Sequence, residues 1–203
     1  MKKICALAEI ATIFALCMVR IWLIRENYMV FIILALIAAS WTLRKETLRT
    51  LGFFPKMKIP RRRIQTAYLA TIIALCAIPF FRSYDAVQAG MSAVWSFMFR
   101  QYGWALLQEI LVCGYFALRL NDIFLNHRRS ALATGILFGI GHSPNIFLMA
   151  VTLAGGIFLA LIFFKRRNIH EVAGLHAAVS AVLYHAVPVY IHHRFIVGPN
   201  FFN

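Results

Sequence analysis

The sequence predicts an all-α protein, a polytopic bundle of about seven transmembrane helices around a polar intramembrane cavity. Three observations carry that reading. Of the 203 residues, 62% are hydrophobic, against about 45–50% in soluble domains. Most basic residues stand in the gaps between apolar runs, as the positive-inside rule expects. And one carboxylate with two imidazoles interrupts runs that are otherwise apolar.

The candidate spans are about 4–24, 28–43, 64–81, 91–118, 130–143, 146–164 and 171–191, set against the roughly 20 helical residues that cross a bilayer. Met1-Lys2-Lys3 before the first run resembles a signal peptide, but Arg20 and Arg25 close the run where a small-residue cleavage site would stand, so it reads as a retained helix. The second span is short. The fourth is long enough to begin at the interface, around Met91 to Arg100. The fifth is cut by Pro144, which disfavours helix at Ser143 and ends the ladder just beyond His142 inside the bilayer. Non-helical backbone at that depth survives where it is buried in protein or lines a wet cavity. Gly135 and Gly139, one turn apart, allow a neighbouring helix to approach closely. With no internal repeat or low-complexity tract, residues 1–203 read as one membrane domain.

Charge gives the orientation. Lys2, Lys3, the eight basic residues from Arg44 to Arg63, Arg119, Arg128, Arg129 and Lys165-Arg166-Arg167 put 16 of the 21 Lys and Arg on one side. Seven spans with that bias give a cytoplasmic N-terminus and an external C-terminus, in the plasma (inner) membrane of a prokaryote. The same distribution assigns the net charge of +14 to topology and excludes nucleic acid as a partner. Cys5, Cys17, Cys76 and Cys113 lie in apolar segments without a CxxC pair, which excludes a disulfide framework and a thiolate metal site. His170-Glu171 with His176 is not HExxH, so no metal is expected.

Glu109, in Gln108-Glu109-Ile110-Leu111-Val112-Cys113-Gly114, is the most informative residue. A charge at bilayer depth costs at least about 2.5 kcal/mol, so it is functional by default. At 1.5 Å per residue it lies roughly 14 Å from the cytoplasmic end of its helix, His142 roughly 18 Å from Ser130, and His176 roughly 12 Å from Asn168. Three polar groups on three helices share one layer.

Their order and spacing resemble the CPBP family, the CAAX prenyl protease 2-like and bacteriocin-processing intramembrane glutamic proteases. Glu-Glu-x-x-x-Arg-Gly is represented by Gln108-Glu109-x-x-x-Cys113-Gly114. Phe-x-x-x-His is intact as Phe138-x-x-x-His142, and His-x-x-x-Asn appears as His176-x-x-x-Ser180. The resemblance covers roughly residues 103–190. It implies a metal-independent peptidase without cofactor, acting on a membrane-associated peptide or protein in the lipid bilayer, with an accessory membrane protein as a further candidate partner. The family's first Glu and the Phe-x-x-x-His histidine activate water; His176 and Ser180 would then donate to the oxyanion. Here Gln108 takes that first place, leaving Glu109 as the carboxylate available for the base, and Cys113 removes the i,i+4 Arg.

Simpler readings stand beside these. Glu109 has an alternative reading as a polar clasp between helices, bonded to a buried His or to Arg100. His142 is equally a cap beside the Pro144 break, and His176 with Ser180 an interhelical hydrogen-bonding pair. Glu9, Arg20 and His185 read as structural, and His192-His193 as an exposed polar end. The competing class is a catalytically inactive homologue that binds a peptide, lipid or membrane partner, as an immunity or assembly protein would. A transporter is disfavoured by the lack of an inverted repeat.

Overall fold

The computed structural model describes residues 2–24, 26–54 and 84–202. The expected span 64–81, Cys76 and the basic residues from Lys56 to Arg63 lie outside them. The described residues are helical, with no strand among them. Helix α1 runs Lys2–Trp22 and α2 Tyr28–Leu43. A long rod follows as three continuous pieces: α3, Tyr84–Leu111; a π-helical segment, Val112–Ala117; and α4, Leu118–Phe124. Then come α5, His127–Ile140, α6, Ile146–Arg166, and α7, Ile169–Ala186. A short helix α8, Val189–His192, leads into two 3-10 turns ending at Phe202.

Among the described residues, three helices are long and apolar enough to cross a membrane: Lys3–Trp22, Ala93–Phe124 and Ile146–Arg166. The 16 residues of α2 and the 14 of α5 fall short of the roughly 20 that a span needs. The chain is an integral membrane protein. The last helix also differs from the expected span 171–191: α7 stops at Ala186, and the ring of Pro188, which has no N–H to donate, starts α8 instead.

Asparagine sets the start of each core helix. The side-chain oxygens of Asn126, Asn145 and Asn168 accept from backbone N–H groups of the first turns of α5, α6 and α7 at 3.0–3.2 Å, satisfying donors that a helix N-terminus otherwise leaves unpaired. Helices α5 and α6 then pack through glycine. A Cβ on Gly135 would lie 2.5 Å from the Leu153 carbonyl oxygen, and one on Gly156 3.0 Å from the Gly135 Cα. The close approach expected at Gly135 and Gly139 is therefore present. It holds α5 against α6 as α3 packs against α7, with Phe138, Leu159, Phe163 and Val172 in the apolar core between them.

The rod's other end carries a buried ion network. Arg119 is fully buried. Its guanidinium donates to Glu9 Oε2 at 3.0 Å, to Ser40 Oγ at 3.1 Å, and to both Glu46 oxygens at 2.6 and 3.1 Å. Arg44 bridges Glu9 at 2.6 Å and Asp122 at 2.9 Å. Arg119 and Arg44, read from sequence among the basic residues beside the spans, thus pin α1 and α2 to the rod. The structural reading of Glu9 holds.

Candidate active site

The π-helical segment is the local feature that separates two functions of one rod. A π-turn inserts an extra residue into the helix, so the faces on either side of Val112–Ala117 are set independently. Upstream, Glu109 turns to α7; downstream, Arg119 turns to α1 and α2. Adjacent helical residues point about 100° apart, so Gln108 and Glu109 cannot share a direction. Gln108 takes the open side and Glu109 the packed one.

Glu109 is fully buried, and its Oε1 lies 2.8 Å from His176 Nδ1. The clasp between helices is formed with His176, not Arg100. The Cys113 thiol stands against the same carboxylate, but Oε2 makes no hydrogen bond among the described residues. That orphaned oxygen lies one turn from the position where the resembled family carries Arg.

His142 stands in the turn after α5, on Gly139-Ile140-Gly141-His142-Ser143, and its Nδ1 is 2.8 Å from the Phe138 carbonyl. A carbonyl can only accept, so Nδ1 carries the proton and Nε2 the lone pair. The Phe138 ring packs edge-on against both imidazoles, 4.8 Å from His142 and 5.7 Å from His176 between centroids. His142 is therefore at once a cap on α5 and a cavity-lining imidazole whose Nε2 is free of that cap.

Both histidines open on a cavity of about 300 Å³ between α3, α5, α6 and α7, together with Gln108, Thr152 and Ser180. Most of its wall is apolar, from Phe138, Leu148, Leu159, Leu175 and Val179. Of the sequence-predicted residues, Gln108, His142, His176 and Ser180 meet at this cavity. Glu109 does not line it: the carboxylate stands behind His176. The difference follows from helix rotation, which the motif spacing alone does not resolve.

Sequence reasoning missed the cavity's roof. The segment after α8 folds back so that Phe195 and Val197 line it. Asn145, fully buried, donates from Nδ2 to the carbonyls of His192 at 3.1 Å and Ile196 at 3.2 Å, and Gly198 N–H donates to Ser143 O at 2.9 Å. His192, expected in an exposed tail, is buried here and packs between the rings of Tyr184 and Phe195, tilted to the first and edge-on to the second; His193 is exposed as expected. An Asn directly after Pro144 was the available signal.

What the pair can do chemically follows from its geometry. A carboxylate on Nδ1 of a cavity-lining imidazole fixes the ring and stabilises its protonated form. Polar donors nearby can meet a developing oxyanion. Among the described residues, no group of three or more His, Cys, Asp or Glu could hold a metal ion.

Residues 90–182 match the Rce1-like family, described as type II CAAX prenyl endopeptidase Rce1-like. No curated protein and no solved structure matches the chain. The matched segment carries α3 to most of α7, with Gln108, Glu109, His142, His176 and Ser180, and leaves out α1, α2 and the C-terminal roof.

Proposed function

We propose that this chain, a CPBP-family membrane protein through its Rce1-like segment, is an intramembrane peptidase whose base is His176 oriented by Glu109. The observation that carries this is the 2.8 Å contact between a fully buried carboxylate and Nδ1 of a cavity-lining histidine. With Glu109 ionised, Nδ1 donates to it and Nε2 keeps its lone pair for water. Water gives a proton to His176 Nε2 and attacks the substrate carbonyl carbon, while His142 Nε2 accepts from the water's other hydrogen. Ser180 donates to the oxyanion. Collapse of the tetrahedral intermediate breaks the C–N bond, and His176 returns its proton to the leaving amine. Glu109 thus acts through His176 rather than on water itself.

The substrate in this reading is a membrane-associated peptide or protein. The chain resides in a prokaryotic plasma membrane, N-terminus cytoplasmic, with seven spans and the cavity within the bilayer. A second reading, a non-catalytic binding homologue, is favoured by Gln108 facing the cavity in place of a carboxylate.

The test is cleavage of a peptide library by the purified protein in lipid nanodiscs. His176→Ala should abolish cleavage, and Glu109→Gln should lower it about 10²–10⁴-fold, both without loss of folding. Gln108→Glu, which returns a carboxylate to the cavity face, should hold or raise the rate. If neither the wild type nor His176→Ala cleaves any member of the library, the second reading replaces the first; cleavage by His176→Ala at the wild-type rate would overturn the role given to His176.

A further inference from the structure

A second cavity, of about 550 Å³, lies on the opposite side of Gln108, within the roughly 300–1,000 Å³ typical of ligand sites. It is walled by α1, α2, α3 and the C-terminal roof, so most of its wall lies outside the family-matched segment. Val30, Leu34 and Leu107 make it apolar; Gln108 and Trp104 are shared with the histidine cavity. Among the described residues, one cation enters it. Arg20, in the last turn of α1, lines the cavity, and its Nε is buried with no acceptor among the described residues. The ion pairs that satisfy Arg44 and Arg119 have no counterpart there among the described residues. A buried guanidinium donor without an acceptor is costly, and an arginine at the end of an apolar cavity is matched by an anion carried on an apolar chain.

We propose that this cavity binds an anionic amphiphile, its single acyl chain between α1, α2 and α3 and its carboxylate or phosphate on Arg20. The occupant is a lipid, either a free fatty acid or one chain of an anionic phospholipid. The site is separate from the peptidase reading and does not depend on it.

Trp104 supplies the readout, because bromine quenches indole fluorescence only at close range. The experiment titrates dibromostearate, and its uncharged methyl ester, into the full chain in nonionic detergent, in a His176→Ala background that removes any peptidase activity. The acid should give a saturable quench that disappears in Trp104→Phe, and the ester should bind about ten- to a hundredfold more weakly. Arg20→Gln should bring the acid to the level of the ester, while Arg20→Lys, which keeps the charge, should retain most of the preference. Competition by dioleoyl phosphatidylglycerol but not phosphatidylcholine would assign the headgroup to phospholipid; competition by oleate alone would assign it to a fatty acid. Equal binding of acid and ester, a quench surviving Trp104→Phe, or displacement only by a peptide bearing a free C-terminal carboxylate would each overturn the proposal.

Discussion

At the scale of single residues, two buried charges behave in opposite ways. Among the described residues, Glu109 has one hydrogen bond and one orphaned oxygen, the incomplete satisfaction expected of a working group. Arg119 is saturated by Glu9, Glu46 and Ser40, the condition of a structural one. Removing one member of a buried pair costs about 3–5 kcal/mol, because the other charge stays buried. Arg119→Met should therefore lower stability by about that amount in denaturant unfolding, whereas Glu109→Gln, which keeps the shape and one acceptor, should cost about 1–3 kcal/mol. The sequence made Glu109, His142 and His176 visible because polar groups in apolar runs are conspicuous. Which way Glu109 faces was not visible, since Gln108 and Glu109 differ by one rotational step. Arg119 was hidden for another reason: at the end of an apolar run, a buried cation and an interfacial one read alike.

Among the elements, the pairing of α5 with α6 positions His142. The helix break at Pro144 and the glycine spacing were legible, because both act through backbone sterics alone. The π-helical segment was not: nothing in Val112–Ala117 distinguishes it from ordinary helix in composition. Nor was the roof, whose left-handed residues His193, Arg194 and Phe195 follow a proline-started turn rather than a hydrophobic period. The glycine contacts make a direct prediction. In Gly135→Ala the new methyl meets Ile157 and the Leu153 carbonyl at 2.5 Å, and overpacking of that kind costs about 1–3 kcal/mol. Thermal unfolding should fall accordingly, with His142 displaced and cleavage reduced alongside. Gly103→Ala, where the methyl meets nothing within 4 Å, should be neutral or slightly stabilising through helix propensity.

Over the whole molecule, a family-matched core of α3 to α7 holds the histidine cavity, and α1, α2 and the C-terminal roof close round it. The asymmetric loop charges give a topology prediction: reporters fused after Arg129 and Arg167 should report cytoplasm, and one after Asn203 the outside. A cytoplasmic C-terminus would mean an even number of spans, with the miscount at 91–118 or 130–164. The central claim, that this membrane bundle hydrolyses peptide bonds through His176 and Glu109, is tested most directly by isotope incorporation. Wild-type protein in nanodiscs, incubated with membrane-anchored peptides in ¹⁸O water, should yield new C-termini carrying solvent oxygen, detected by mass spectrometry and absent with His176→Ala. New termini formed equally by His176→Ala, or none from the wild type across the library, would contradict it.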